Sequence, residues 1–203
     1  MSPDLLFLFT DRIGVFVFAI SGGIVAVRKE MDLFGVIVMA FLPAIGGGTL
    51  RDLILSQPVF WLEDTQTLGF AIAGGLAAFF FHRWLENFRP LRWADAIGMA
   101  LFAVTGAAKA AALGHGWPVV LIMGTMTASA GGLLRDVVAN EKPLLLLKSE
   151  IYATAALLGS LVYFLTSLWV GDEFLAFVLG LFSAFVLRAL GIVFKLSLPR
   201  SPF

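Results

Sequence analysis

The chain has 203 residues, of which 60% are hydrophobic and 14% are charged, and its mean hydropathy is +0.95. Soluble domains contain about 45–50% apolar residues, so this composition excludes a soluble globular protein and indicates an integral membrane protein. The formal net charge is zero and cysteine is absent. These two features argue against nucleic acid as a partner and exclude disulfides and thiolate metal sites.

Seven apolar stretches are long enough, at about 20 residues, to cross about 30 Å of hydrocarbon. In chain order they cover about residues 5–27, 33–53, 65–84, 93–113, 118–138, 149–170 and 174–194. The first follows an acidic flank without a cleavage-site pattern, so we predict a retained span and not a removable signal. Pro43 lies inside the second span, where the missing N–H group predicts a kink.

The distribution of loop cations predicts the orientation of the chain. With the N-terminus outside, the inner loops and the tail hold many cations: Arg28, Lys29, Arg83, Arg89, Arg92, Lys142, Lys148, Lys195 and Arg200. The outer loops, residues 54–64, 114–117 and 171–173, then contain neither Lys nor Arg. Because cytoplasmic loops carry the excess of Lys and Arg, we predict an outer N-terminus and a cytoplasmic C-terminus.

A repeat with an offset of 84 residues relates residues 11–54 to residues 95–138 without a gap. It includes two glycine-rich clusters, Gly-Gly-Gly-Thr-Leu-Arg-Asp from Gly46 and Gly-Gly-Leu-Leu-Arg-Asp from Gly131. Three spans in each copy are an odd number, so the second copy must be inserted upside down. The predicted fold is therefore one all-α transmembrane domain over residues 1–203. It has seven transmembrane helices: two inverted three-helix repeats, about 5–85 and 93–170, and a seventh helix, about 174–194.

The glycine clusters are the candidate ion or solute path. Inverted repeats with glycine-interrupted helices at matching positions are typical of a path at the repeat interface. We expect broken second and fifth spans, with this polar lining: Gly46, Gly47, Gly48, Thr49, Ser129, Gly131 and Gly132. The alternative is that small residues only let helices approach closely, which we expect at Gly22-Gly23 and Gly74-Gly75.

Ionisable residues inside the spans are the candidate gate or structural clamp. Arg51 and Asp52 point about 100° apart on a helix, so we expect that they do not pair with each other. The topology instead predicts two symmetry-related ion pairs, Asp11 with Arg51 and Asp95 with Arg135. The complete set is Asp11, Arg51, Asp52, Asp95, Lys109, Arg135 and Asp136.

Two further cations have no counterpart in the repeat. Lys109 aligns with Val25 and lies near the outer end of the fourth span. Its two interpretations are snorkelling to the outer interface and an electrostatic gate that repels cations. Arg188 lies in the seventh span, where we expect a lipid or subunit contact. Histidine occurs only at His82 and His115, so we expect no histidine metal site and no enzyme activity.

The seven-span plan, the duplicated unit and the two glycine-arginine-aspartate clusters resemble the trimeric intracellular cation (TRIC) channel family, in its prokaryotic branch of UPF0126-like membrane proteins. The resemblance implies a homotrimer in a prokaryotic inner membrane, with lipids but no soluble protein as partners. It implies one potassium-permeable pore per subunit between kinked second and fifth helices, with sodium as an alternative ion and no cofactor. The Lys-Glu-Val motif of the animal branch is absent. Related sequences described as glycine transporters keep a small-solute carrier as the alternative.

Overall fold

The computed structural model describes residues 3–85, 90–146 and 151–197. Its helices are α1 (Pro3–Arg28), α2 (Leu33–Ile54), α3 (Phe60–Glu63), α4 (Gln66–Leu85), α5 (Pro90–Ala112), α6 (Trp117–Val138), α7 (Ala153–Val170) and α8 (Glu173–Phe194). A 3-10 turn covers Leu144–Leu146. Of the loop cations used to predict orientation, Arg89, Lys148 and Arg200 lie outside the described residues.

Six of these helices, α1, α2, α5, α6, α7 and α8, are long and apolar enough to cross a membrane. The described apolar part of α4, Gln66–His82, is shorter. The all-α membrane class predicted from composition is therefore confirmed. The helix bounds agree with the predicted spans to within about four residues, and the start of the predicted sixth span falls outside the described residues, which resume at Ile151.

Short polar signals mark where the helices begin and end. The side chain of Asp32 caps α2 by accepting from Gly35 N at 2.8 Å, and that of Asp172 caps α8 by accepting from Leu175 N at 3.0 Å. Gly171 ends α7 with φ of +72°, a conformation in which a side chain would be strained. These caps satisfy backbone groups that a helix end would otherwise leave without a partner.

The first helix of each repeat, α1 and α5, forms the centre of the protein. In the apolar window of α5, 78% of residues are buried, against 28% for α7 and 33% for α8. The rings of Phe18 and Phe102 lie 5.2 Å apart where α1 and α5 meet. A Cβ atom on Gly14 would lie 3.1 Å from the Phe102 ring, and one on Gly98 would lie 2.5 Å from the Phe18 ring. Each glycine therefore accommodates the other repeat's phenylalanine.

An ion pair ties α1 to the start of α4. Arg12 Nε lies 2.9 Å from Asp64 Oδ2, and Thr67 Oγ1 donates to the same oxygen at 3.1 Å. The hydrogen bond from Arg12 holds the pKa of Asp64, in the connection before α4, below its ordinary value. The carboxylate therefore stays ionised, and the pair joins two helices that are far apart in the sequence.

Candidate functional site

Helices α2 and α6 cross with their backbones in close contact at the glycine clusters. A Cβ atom on Gly47 would overlap the carbonyl oxygen of Thr127. A Cβ atom on Gly131 would lie 2.5 Å from the carbonyl oxygen of Pro43. Thr127 is the repeat counterpart of Pro43, and Gly131 is that of Gly47, so the two contacts are reciprocal. Reciprocal contacts of this kind are the mark of two units related by a two-fold operation.

The expectation of broken helices at the glycine clusters is wrong for this conformation. Helix α2 is continuous over Leu33–Ile54, and α6 is continuous over Trp117–Val138. The close approach expected only at the other glycine pairs therefore holds at these clusters as well. The physical reason is that the crossing needs residues without a Cβ atom, and a helix can include glycine at a cost of about 1 kcal/mol when packing compensates.

The hydroxyl groups of the crossing bond to their own helices. Thr49 Oγ1 donates to Ile45 O at 2.7 Å, and Ser129 Oγ donates to Thr125 O at 2.7 Å. Thr49 Oγ1 also accepts from the indole Nε1 of Trp61 at 2.9 Å. Because a hydroxyl oxygen has two lone pairs, Ser129 retains capacity to accept a hydrogen bond or contact a cation.

Pro43 lies inside α2 and is buried. Proline has no N–H to bond the carbonyl of the fourth residue before it, which is Met39. A Cβ atom on Gly22 of α1 would overlap the Met39 oxygen, so the α1 backbone packs directly on that carbonyl. In the second repeat, Thr127 stands at the place of Pro43, and its hydroxyl donates to Met123 O at 2.5 Å. The same helical turn is therefore altered in both repeats. In α2, Pro43 removes a backbone hydrogen bond to Met39 O, and in α6 the Thr127 hydroxyl donates to the equivalent carbonyl of Met123.

One group of charged side chains, the Arg135 cluster, comprises Asp95, Arg135 and Asp136. Arg135 Nη1 lies 2.7 Å from Asp95 Oδ1 and donates to Ser21 Oγ at 2.9 Å. Arg135 Nε lies 2.7 Å from Asp136 Oδ1. The side chains of Asp95 and Arg135 are 0% exposed, so this cluster is closed to solvent. The contact between Asp95 and Arg135 that the topology predicted is present.

A second group, the Arg51 cluster, comprises Arg51, Asp52 and Lys109. Arg51 Nε lies 2.7 Å from Asp52 Oδ1, and Lys109 Nζ lies 2.9 Å from the same oxygen. The other Asp52 oxygen accepts from Phe60 N at 2.9 Å. The predicted pair of Asp11 with Arg51 is wrong as a direct contact, because among the described residues the ion pair of Arg51 within 4 Å is with Asp52.

The ends of α2 and α6 repeat the same arrangement with an offset of 84 residues. Asp52 accepts from Phe60 N at 2.9 Å, and Asp136 accepts from Leu144 N at 2.8 Å. The turn that follows each helix contains a residue with positive φ, +53° at Ser56 and +54° at Asn140. Each aspartate therefore holds a short segment against the end of its helix. Sequence reasoning missed Phe60 and Leu144, although extending the ungapped alignment by six residues pairs them.

Adjacent Arg and Asp residues pair with each other in both clusters, contrary to the sequence expectation. An angle of 100° separates their Cα–Cβ directions, but it does not limit the reach of the long Arg side chain, which turns back so that Nε meets the neighbouring carboxylate. The distance is 2.7 Å for Arg51 with Asp52 and for Arg135 with Asp136. A buried arginine without a partner is strongly destabilising, so the neighbouring carboxylate offers the compensation that water does not.

Lys109 has a partner that neither of its two interpretations included, and Arg188 differs from expectation. Lys109 does not extend to the interface alone, because it pairs with Asp52 while its side chain keeps 31% exposure. Arg188 is 0% exposed within a single chain, and its guanidinium lies 5.0 Å from the centre of the Tyr152 ring. The predicted lipid or subunit contact of Arg188 is therefore wrong. A cation over an aromatic face is stabilised without water, which the sequence alone could not indicate.

The glycine transporter family model matches the chain twice, over residues 8–83 and 92–167. The two matches begin 84 residues apart, which confirms the offset of the duplication. A UPF0126 membrane protein of Vibrio cholerae is 39% identical over 98% of this chain and 84% of its own length. The UPF0126 membrane protein YvgT of Bacillus subtilis is 38% identical over 94% of both chains.

Solved structures of TRIC channels have the same fold as this chain. The TRIC trimeric intracellular cation channel orthologue from Rhodobacter sphaeroides is 39% identical, with a TM-score of 0.89 over 94% of this chain and 99% of its own. A second TRIC cation channel structure is 39% identical, with a TM-score of 0.87 over 100% of this chain and 98% of its own. The family match, the curated relatives and these structures agree, and the chain belongs to the prokaryotic branch of the TRIC family.

Proposed function

We propose that this protein is a passive channel for monovalent cations, with potassium as the principal permeant ion. The observation that carries the proposal is the likeness to solved TRIC cation channels, at 39% identity and TM-scores of 0.89 and 0.87 over nearly the whole chain. The crossing of α2 and α6, with a charged cluster at the end of each helix, is the structural feature on which we place the path.

The path would run along the α2–α6 crossing between the Arg51 cluster and the Arg135 cluster. Both clusters contain carboxylates, which attract cations, and arginines that neutralise those carboxylates while the ion pairs remain closed. The side chains of Asp52 and Asp95 are 0% exposed, so a hydrated ion cannot reach them in this conformation. Opening would therefore separate the ion pairs and let water enter.

The assembly we propose is a homotrimer with one pore per subunit, in the inner membrane. The two repeats would be inverted, with the N-terminus outside and the C-terminus in the cytoplasm. The reciprocal contacts of Gly47 with Thr127 and of Gly131 with Pro43 support a two-fold relation between the repeats. Because each repeat has three spans, the second copy would cross the membrane in the opposite direction. The cations at the predicted inner ends, such as Arg28 and Lys195, support the orientation.

Recording from single proteins in a planar bilayer under a potassium chloride gradient tests this function. We expect discrete unitary currents that reverse near the potassium equilibrium potential, because the carboxylates select for cations. Replacing potassium with sodium on one side measures the selectivity between the two ions. The absence of currents from correctly folded, reconstituted protein would contradict the channel function.

A small-solute carrier for glycine-like amino acids is the second candidate function. The observation that favours it is the description of the matching family model, glycine transporter, over residues 8–83 and 92–167. In a carrier, the α2–α6 crossing would alternate its access between the two faces of the membrane. Saturable glycine uptake into vesicles, together with electrical silence, would support this function over the channel.

Replacing Lys109 with Gln is expected to increase unitary potassium conductance about twofold at about 0.01 M salt. Lys109 Nζ pairs with Asp52, and part of the Lys109 side chain is exposed, so its charge repels cations that approach this cluster. Asp52 keeps Arg51, and the fold should therefore survive. The increase should vanish near 1 M salt, where the Debye length falls to about 3 Å.

Lys142→Gln is the control for this measurement, because it removes the same charge from an exposed loop residue outside both clusters. An equal increase in the Lys142 variant would show that the effect comes from overall charge. A decrease in the Lys109 variant would mean that the ion pair with Asp52 holds the conducting conformation open.

A further inference from the structure

A cavity of about 480 Å³ lies at the predicted inner end of the helices and is lined by Arg28, Leu91, Arg92, Leu144 and Lys195. Arg28 is the last residue of α1, Leu91 and Arg92 lie in the first turn of α5, Leu144 begins the 3-10 turn, and Lys195 follows α8. Four parts of the fold therefore bring three cations and two leucines together. Cavities of about 300–1,000 Å³ are the usual size of small-ligand sites.

The cations of this cavity do not belong to the framework that the two repeats share. With the offset of 84 residues, the counterpart of Arg28 is Ala112 and the counterpart of Arg92 is Leu8. Lys195 follows α8, which lies outside the repeat. The charges are therefore confined to one end of the molecule. A general excess of inner cations explains their side of the membrane, but it does not explain their convergence on one cavity.

We infer that this cavity binds the phosphate group of an anionic membrane lipid. Arg28 and Lys195 are exposed, and neither forms an ion pair within 4 Å in the part of the chain that the structure describes. Arginine donates paired hydrogen bonds to phosphate oxygens, and lysine adds a point charge. Leu91 and Leu144 give the same cavity an apolar wall, which suits the glycerol and upper acyl carbons of a lipid. Basic pockets between transmembrane helices at the cytoplasmic side bind lipid headgroups in this way.

The site also touches the Arg135 cluster through one residue. Leu144 lines the cavity, and its backbone N–H donates to Asp136 at 2.8 Å. A lipid seated in the cavity would hold the Leu144–Leu146 turn against the end of α6. Binding should therefore raise the thermal stability of the protein as well as retain lipid.

The test compares the full chain in phosphatidylcholine nanodiscs with and without phosphatidylglycerol. Native mass spectrometry measures retained lipid, and thermal unfolding measures the stability gain. We expect wild-type protein to retain phosphatidylglycerol preferentially, and R28Q/K195Q to weaken that retention roughly tenfold or more. The control is K29Q/K142Q, which removes equal charge from exposed inner residues that do not line the cavity. We expect the control to retain lipid as wild type does.

Two results would overturn the lipid site: no preference for phosphatidylglycerol in wild type, or equal losses in the two double variants. A further arm adds inorganic phosphate to phosphatidylcholine discs. If phosphate alone reproduces the full stabilisation, and R28Q/K195Q abolishes it, the phosphate site stands but a membrane lipid is overturned as its source. None of these measurements depends on ion conduction, so they remain separable from the channel proposal.

Discussion

Replacing Arg135 with Gln is expected to destabilise the protein by about 3–5 kcal/mol, the loss typical when one partner of a buried ion pair is removed. Arg135 bonds Asp95 and Asp136 at 2.7 Å, and all three side chains are at most 3% exposed. Without the guanidinium, two carboxylates would remain in a region that water does not reach. Equilibrium unfolding in mixed micelles measures the change in free energy.

The repeat provides a matched control, Arg51→Gln, at the counterpart of Arg135. Its effect should be smaller, because Asp52 keeps Lys109 at 2.9 Å and the Lys109 side chain is 31% exposed to solvent. The two variants remove the same side chain from equivalent positions, so intrinsic helix preference cancels in the comparison. Equal losses would show that the second cation of the Arg51 cluster contributes nothing.

A double-mutant cycle isolates the contact between Asp95 and Arg135. Asp95→Asn alone should cost less than Arg135→Gln, because Arg135 then keeps Asp136 at 2.7 Å. The double variant should lose less than the sum of the single variants, with a coupling of about 0.5–3 kcal/mol. Additive losses would mean that the two residues stabilise the fold independently of each other.

The backbone framework could be predicted because its signals are strong and one-dimensional. Apolar length predicts the helices, and the ungapped repeat together with the topology predicts that Asp95 lies near Arg135. The same reasoning also pairs Asp11 with Arg51, and that prediction is wrong as a direct contact, although the two pairs are equivalent in sequence. Lys109, which replaces Val25 of the other copy, supplies Asp52 with a second cation. The repeats share a backbone plan but balance their charges differently.

The predictions that were wrong concern features that depend on the reach of side chains and on packing in three dimensions. The direction of a Cβ atom did not predict that Arg51 turns back to Asp52, because the long side chain has several rotatable bonds. Glycine's tendency to loosen a helix suggested a break at Gly47, whereas packing against Thr127 keeps α2 continuous. Arg188 is buried against Tyr152, a partner that neither motif nor repeat indicates.

Replacing Gly47 or Gly131 with Ala is expected to destabilise the protein by about 1–3 kcal/mol, the usual result of adding volume to a tightly packed region. The new methyl group would overlap the carbonyl of Thr127 in the first variant and lie 2.5 Å from that of Pro43 in the second. Both obstacles are backbone atoms, which cannot rotate aside. The α2–α6 crossing must widen instead.

Alanine variants of two other glycines test whether the destabilisation follows the closeness of the contact. Gly69→Ala in α4 meets nothing within 4 Å, so it should stabilise the protein by up to about 1 kcal/mol through helix propensity alone. A Cβ atom on Gly46 would lie 2.9 Å from Leu134 Cδ1, the end of a flexible side chain. Gly46→Ala should therefore destabilise the protein less than Gly47→Ala. Equilibrium unfolding in mixed micelles should therefore find Gly69→Ala the most stable variant, Gly46→Ala the next, and Gly131→Ala and Gly47→Ala the least stable.

The same series tests where the path lies. If ions pass along the α2–α6 crossing, the variants that widen it should change unitary conductance, whereas Gly69→Ala should leave conductance unchanged. A widened crossing admits water beside the buried carboxylates, so the expected change is an increase in current or in open time. Unchanged conductance in a folded Gly131→Ala protein would move the path away from this crossing, and the glycines would then serve only to pack α2 against α6.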